Sequence, residues 1–237
     1  MKTVVCLPTY NERENLERMV DALADKGVSV LVIDDNSPDG TGELADSLAQ
    51  QNGHVEVLHR PRKEGLGPAY LAGFQRALAD PVVGLVLEMD ADFSHDPADV
   101  PRLVAAAADA DLVLGSRYVD GGSVGNWGRV RRFISSGGSW YARVLLGVGI
   151  HDLTCGFRCY RREVLEAIDL DAIDSRGYAF QIEGTYRTLR AGFRVVEIPI
   201  VFVDRRAGVS KMNRRIVWEA AGMVWKLRLN DLLGRVE

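Results

Sequence analysis

The chain has 237 residues, of which 47% are hydrophobic and 26% charged, with a net charge of −4 at neutral pH. That length and apolar content suffice for a sizeable core, which excludes global disorder, and the acidic balance excludes a general nucleic-acid binder, since neutralising phosphates needs a basic face. The three cysteines, Cys6, Cys155 and Cys159, cannot all pair and lack zinc-ligand spacing, so they read as buried thiols of a reducing compartment.

In chain order, short apolar runs alternate with amphipathic stretches. Strands are expected at 3–7, 28–33, 55–58, 82–89 and 112–115, with helices at 14–26, 41–51, 66–79 and 98–108 between them. This βα repetition predicts an α/β fold, a mostly parallel sheet with helices on both faces, in a single domain over 1–237. Glycines at 121, 122, 125 and 128 predict a mobile loop, and 121–147 as a whole reads as that loop followed by an amphipathic helix. A polar turn, helices near 161–168 and 179–191, and a strand at 195–203 follow. The tail, 214–237, reads as an amphipathic helix with Trp218, Trp225, Leu229 and Leu232 on one face. Such a face is first a core face, and the arginines beside it keep membrane contact open. The apolar run at the start is too short for a signal peptide. Arg143 and Lys226 interrupt the two longest apolar stretches before the roughly 20 residues that a membrane span needs.

The segment LEMDADFSH, from Leu87, is an apolar strand ending in two carboxylates one residue apart. Unpaired Asp90 and Asp92 cannot follow residues 83–87 into a core without a large desolvation cost, so they belong at the strand's exit, the edge where open α/β sheets bind ligands. Two carboxylates so close repel each other, and a hard divalent cation offsets that repulsion while leaving positions for diphosphate oxygens. A solvated turn capping the helix after Asp96-Pro97 is the other reading of the same tripeptide. Strands one and two run into PTYNERENL from Pro8 and VIDDNSPDGT from Val32, polar turns at the same edge. There Tyr10 can flank a base, while Glu12 and Asp35 can accept hydrogen bonds from base or ribose, and Asn11 and Asp39 can cap helices. The next turn, 60–67, has glycines that permit close backbone approach, but it is neither a dinucleotide fingerprint nor a P-loop. Two stretches are basic and free of acids: 127–150, with Arg129, Arg131, Arg132 and Arg143, and 205–215, with five basic residues. Both suit a small anionic ligand or an anionic membrane.

From residue 4 to about 215 the chain resembles the dolichyl-phosphate (polyprenyl-phosphate) mannose synthases of glycosyltransferase family 2. Besides the two turns just quoted, the carrying segments are GLG from Gly65, MDADFSH from Met89, GSRYVDGG from Gly115, NWGRVRRFIS from Asn126, DLTCGFRCYRREVL from Asp152, GYAFQIE from Gly177 and FVDRRAGVSK from Phe202. The resemblance implies a GT-A fold that transfers mannose from GDP-mannose to a polyprenyl phosphate with inversion. It implies a guanosine pocket of Pro8, Tyr10, Glu12, Ile33 and Asp35. Asp90, Ala91 and Asp92 would meet the sugar-nucleotide diphosphate, with Mg²⁺ or Mn²⁺ held by Asp90, Asp92 and the short oxygen donor Ser94. Arg117 reads as a phosphate clamp. Arg131 and Ser135, one helical turn apart, would address the acceptor phosphate, and Arg205 and Lys211 would add cationic contacts. The catalytic set so implied is Asp92, Arg117, Arg131, Ser135 and Arg205. Asp152 stands where many relatives acting on hydroxyl groups carry a catalytic acid, and here it reads as structural or acceptor-orienting. His54, His59, His95 and His151 read as structural.

A lipid acceptor implies a peripheral protein on the cytoplasmic face of a membrane, with Trp140, Leu145 and Leu146 as shallow insertion points; recruitment by a membrane-anchoring partner protein is compatible with this. Two other readings stay open: a family 2 enzyme using UDP-glucose or another sugar nucleotide on the same lipid phosphate, and a non-catalytic subunit that binds sugar nucleotide or lipid phosphate.

Overall fold

The computed structural model describes residues 1–125, 128–173, 177–203 and 214–233, and the side chains of all these except 129–134, 178 and 214–220. Strands β1 (Lys2–Thr9), β2 (Ser29–Asp34), β3 (Val55–His59), β4 (Val83–Glu88), β5 (Leu112–Ser116), β7 (Arg158–Arg161) and β8 (Val195–Pro199) form one sheet in the order β3-β2-β1-β4-β7-β5-β8. All pairings in it are parallel except those of β7, which is antiparallel to both its neighbours. A small parallel ribbon joins β6 (Ser123–Val124) to β9 (Val201–Phe202).

The two-residue period of the strands sorts the core into two layers. Val5, Leu7, Val30 and Val32 face α1 (Arg13–Ala24), α2 (Thr41–Gln51) and α4 (Val100–Ala106). Val4, Cys6, Leu31 and Ile33 face α3 (Leu66–Leu78), which shares its layer with α5 (Arg129–Leu146), α6 (Arg162–Ala167), α7 (Tyr178–Arg190) and α8 (Arg214–Leu232). Aromatic rings fill that second layer, Tyr70 stacking on Phe180 at 6.0 Å and Phe74 meeting Tyr160 edge-on at 5.6 Å. All three cysteines are buried and free, as expected from their number and spacing.

Two features of the topology make the site. Strand order reverses at β1, with β2 and β3 on one side and β4 on the other, and such a switch point opens a crevice at the carboxyl ends of the strands. Antiparallel β7 begins where its neighbours end: Arg158 sits opposite Glu88 on β4 and Leu114 on β5. The turn 152–157 is thereby brought to the same edge.

The expected elements differ from the structure in several places. Residues 98–108 form a 3-10 turn, Pro97–Asp99, followed by the shorter α4. The strand expected over 195–203 breaks after Pro199, and the Ile200 N–H turns to the Ser116 carbonyl at 3.0 Å before β9 starts in the other sheet. The glycine-rich loop contains β6, and β7 lies in what reads as a polar turn. On α8 the expected core face points outward: Val224 and Leu227 are buried, while Trp225 and Leu229 are each 53% exposed and Leu232 is 66% exposed. On α5, Leu146 is buried and Leu145 packs against the core, while among its described side chains Trp140 and Val144 stand exposed. Among the described residues no helix is long and apolar enough to cross a membrane.

Candidate active site

Three strands leave the sheet into the crevice through left-handed residues. Asn11 after β1, Asn36 after β2 and Phe93 after β4 have φ of 59°, 56° and 61°. Asparagine tolerates that region, but phenylalanine does not adopt it readily, so the turn holding Asp90 and Asp92 carries backbone strain.

On the nucleoside side, Pro8 and Ile33 are register partners on β1 and β2. The Ile33 side chain is fully buried against α3, so any contact it makes with a ligand falls to its backbone. Of the adjacent acids, Asp34 is spent on the turn: Oδ1 accepts from the Thr9 and Ser37 hydroxyls and Oδ2 from the Ser37 N–H. Asp35 instead pairs with buried Arg60, Nη1 to Oδ1 at 2.5 Å. Burial pushes the Asp35 carboxyl above its ordinary pKa, and the Arg60 charge opposes this without cancelling it. Glu12 accepts from Asn15 Nδ2, and the Lys63 ammonium lies 3.6 Å from the centroid of the Tyr10 ring. The N-cap positions of α1 and α2 are Glu12 and Gly40 rather than the expected Asn11 and Asp39; from one residue before Gly40, Asp39 accepts from the N–H groups of Thr41 and Arg13, the first residues of the two helices.

At the centre, Asp90 is half-buried, Ala91, Asp92 and Ser94 are buried, and Asp92 Oδ1 accepts the Ser94 N–H at 3.0 Å. His95 is almost fully buried and accepts the Asp90 N–H on Nδ1 at 3.2 Å. Burial, partly offset by Asp92 and reinforced by Arg117, brings its pKa down to about 4. It is a neutral structural ligand of the Asp90 turn, stacked on Phe157 at 5.0 Å and edge-on to Phe202 at 5.5 Å. The Ser94 hydroxyl is buried and has no hydrogen-bond partner. Among the described residues no group of three or more His, Cys, Asp and Glu could enclose a metal. Two carboxylates plus an orphaned hydroxyl nonetheless fit a hard cation whose remaining ligands come from a diphosphate.

Arg117, at the exit of β5, also meets Phe202, its guanidinium 5.4 Å from that ring. It is gripped by Asp152: Nε donates to Oδ2 at 2.7 Å, Nη2 to Oδ1 at 2.6 Å, and the Arg117 backbone N–H also donates to Oδ2, at 2.9 Å. Nη2 donates as well to Thr154 Oγ1 at 2.8 Å. Asp152 is 0% exposed, and its own N–H is held by Glu197 Oε1 on β8 at 2.8 Å. Burial alone would lower the Arg117 pKa; the charge and hydrogen bonds of Asp152 more than offset this, so the guanidinium stays charged. Asp152 is therefore the partner that fixes Arg117, the structural reading of its position. Nearby, the Tyr118 hydroxyl donates to Ser135 Oγ at 2.8 Å.

Beneath the site lies a hub that the sequence reading missed. Fully buried Arg158 donates to the carbonyls of Leu153, Cys155 and Gln181 and to Thr185 Oγ1, at 2.7–2.9 Å. Its Nε is 3.9 Å from Glu88, whose pKa burial raises and Arg158 lowers, to about 7. Arg158 thus pins the carbonyls on either side of Thr154, within the turn that carries Asp152. The partners of Glu197, and the Asp35, Gln181 and Thr185 partners of Arg60 and Arg158, are distant in sequence and leave no local pattern; for Glu197, a charge inside the apolar run 195–201 is the available signal. Arg131, Arg205, Lys211 and Trp218 lie outside the residues whose side chains are described.

A family model for glycosyl transferase family 2 matches residues 4–169. The chain belongs to glycosyltransferase family 2. This family 2 chain is 54% identical over 233 residues to the polyprenol monophosphomannose synthase of Mycolicibacterium smegmatis, covering 96% of this chain and 88% of the relative. It is 50% identical over 224 residues to the undecaprenyl-phosphate mannosyltransferase of Micrococcus luteus, covering 93% and 91%. Its fold matches glucosyl-3-phosphoglycerate synthase from Mycobacterium tuberculosis, solved with Mn²⁺, UDP and glucosyl-3-phosphoglycerate, with a TM-score of 0.65 at 22% identity over 99% of this chain and 80% of that one. It also matches a mannosyltransferase from Pyrobaculum calidifontis, solved with GDP-mannose and Mn²⁺, with a TM-score of 0.60 at 18% identity over 98% and 61%. The GT-A architecture implied by the sequence motifs is the one observed.

Proposed function

We propose that this chain transfers mannose from GDP-mannose to a polyprenyl phosphate, inverting the anomeric carbon to give a β-mannosyl phosphopolyprenol. The observation that carries the acceptor class is the engagement of both Asp152 oxygens with Arg117. A hydroxyl acceptor must lose its proton as the bond forms and needs a general base, and an acid so occupied cannot supply one. A phosphomonoester has a second pKa of about 6, is mostly a dianion at neutral pH, and attacks without a base. The two curated relatives at 54% and 50% identity are named for mannosyl transfer to that acceptor class.

The chain's own residues then work by position and charge. The Arg117 plane is set by Asp152, and the guanidinium offers positive charge beside the Asp90 turn, where two anions must approach each other. Ser135 on α5, joined to Tyr118, stands ready to donate to an acceptor phosphate, with Arg131, Arg205 and Lys211 as further cationic contacts. Pro8, Tyr10, Glu12, Ile33 and Asp35 take the nucleoside. Asp90 and Asp92, with Ser94 beside them, would hold Mg²⁺ or Mn²⁺. Bound there, the ion supplies positive charge to the diphosphate of the departing nucleotide. The protein works peripherally at a membrane's cytoplasmic face, alone or recruited by an anchoring partner.

The test is turnover by the purified chain with labelled GDP-mannose, UDP-glucose and other sugar nucleotides, each with a short polyprenyl phosphate and with the matching polyprenol. Metal-dependent mannosylation of the phosphate alone is the expected result. Transfer to the polyprenol would overturn the acceptor reading, and preference for a UDP-sugar the donor reading.

A further inference from the structure

Behind the Arg117–Asp152 pair stands a carboxylate with no task in the reaction above. Glu197 lies on β8 as the register partner of Leu114 on β5, the strand that delivers Arg117, and its side chain is 9% exposed. Both of its oxygens are taken by the chain that leads into the Asp152 turn. Oε1 accepts the Asp152 N–H at 2.8 Å, while Oε2 accepts the His151 N–H at 2.8 Å and meets His151 Nδ1 at 3.0 Å. One carboxylate thus fixes two successive backbone nitrogens, and such charge-assisted bonds are short and directional. The Cα that carries the Asp152 side chain is bonded to the second of those nitrogens. Where they are held sets where the Asp152 oxygens meet Arg117 Nε and Nη2, at 2.7 and 2.6 Å.

We propose that Glu197 is a positioning residue for the transfer step, acting through Asp152 to hold the Arg117 guanidinium in the orientation the transition state needs. The inference rests on the proposed reaction between two anions, in which Arg117 supplies charge, and names the residue that sets where that charge points. A guanidinium in a dry site helps only when aimed at the place where negative charge develops, and a misplacement of about 1 Å can cost about a hundredfold in rate. The task calls for a carboxylate. A glutamine of the same length has one acceptor oxygen and must turn its NH₂ toward the other N–H, so it can keep one anchor and not both. The His151 ring is the outer layer of the arrangement, with a side chain 45% exposed, and it is the backbone N–H of that residue that Glu197 anchors. A Glu197 that merely closed the end of β8 would affect stability without acting through Asp152.

The experiment measures kcat of the full chain with GDP-mannose, divalent metal and a short polyprenyl phosphate, with a melting temperature for each variant. Glu197→Ala releases both N–H groups and is expected to lower kcat about thirtyfold; Glu197→Gln, which keeps one anchor, should lower it about fivefold and carries the comparison if the alanine variant fails to fold. The deciding arm repeats Glu197→Gln in an Asp152→Asn background, where the amide can no longer accept from both Arg117 Nε and Nη2 and turnover is reduced. There the second substitution should cost less than about twofold in kcat while still lowering the melting temperature, because a residue that acts through Asp152 has lost the group it acts on. His151→Ala removes the ring, keeps the anchored N–H and should cost less than about threefold. Equal fold losses in the two backgrounds, an unchanged kcat in folded Glu197 variants, or a His151→Ala loss as large as that of Glu197→Ala overturns the positioning role. A wild-type chain that prefers another sugar nucleotide overturns the donor reading and leaves the coupling to be measured on that donor. A wild-type chain that turns over no sugar nucleotide overturns the proposed function and this inference with it, a result distinct from an active wild type whose variants act independently.

Discussion

Arg117 and Asp152 hold each other in a dry site, where removing one partner is costly and removing both is not. Arg117→Met strands a buried carboxylate and is expected to lower unfolding free energy by about 3–5 kcal/mol, with loss of turnover. Adding Asp152→Asn removes the stranded charge. Denaturant unfolding of the double variant should show most of the stability restored, while turnover stays lost because the guanidinium is gone. A double variant regaining turnover together with stability would reduce Arg117 to a structural role. Asp92→Ala should behave in the opposite way: the carboxylate stands at a strand exit one residue from Asp90, where the two like charges repel each other, so circular dichroism and melting should change little while activity disappears with the metal clamp. Wild-type activity should likewise vanish with chelator and return with Mg²⁺ or Mn²⁺. The residues at strand exits were legible one by one, because a polar residue at the end of an apolar run has few places to go. Pairings were not legible: Arg117 and Asp152 are 35 positions apart, Arg60 and Asp35 are 25 apart, and neither separation leaves a periodic trace.

At the scale of elements, the β1–β4 half follows the sequence closely, since each strand there is an apolar run ended by a polar turn. The β5–β9 half does not. β7 begins with Arg158, a charge that argues for a turn, and the carbonyls of 153, 155 and 181, the Thr185 hydroxyl and the nearby Glu88 carboxylate make its burial tolerable in three dimensions. The break between β8 and β9 follows Pro199, which has no N–H to extend a ladder. That break sends β9 to β6, so the glycine-rich segment packs directly over the exit of β5. A Cβ on Gly122 would lie 2.6 Å from the Ser116 carbonyl oxygen and 2.9 Å from the Arg117 carbonyl carbon, both backbone atoms that cannot step aside. Gly122→Ala should therefore cost about 1–3 kcal/mol of stability and reduce kcat/KM by shifting the backbone that aims Arg117. Gly128→Ala, with open space around its Cβ position, is the matched control and should change neither. Equal behaviour of the two variants would show that the ribbon does not support the site.

At the scale of the whole molecule, exposed apolar residues gather on two helices that pack on each other: the Tyr141 hydroxyl of α5 donates to the Ala221 carbonyl of α8 at 3.3 Å. Trp140 and Val144 on α5 and Trp225, Leu229, Leu232 and Leu233 at the end of the chain all stand exposed. The spacing of the α8 residues had suggested a core face, because a period of 3.6 shows that a face is apolar but not which way it points. Outward tryptophans and leucines, with Arg143 also on α5, suit a membrane surface better than water. An acceptor whose tail resists extraction, at about 0.8 kcal/mol per methylene drawn into water, requires the site to come to the bilayer. The expected outcome is that the purified chain floats with liposomes containing anionic lipid at low salt, and less so at high salt as the arginine contribution is screened. Trp140→Gln with Trp225→Gln should abolish flotation and turnover on bilayer-embedded acceptor, yet leave turnover on a short, water-soluble polyprenyl phosphate intact. If the wild-type chain never floats, and uses embedded acceptor only after a second membrane protein is added, recruitment by that partner replaces the tryptophan surface as the anchor.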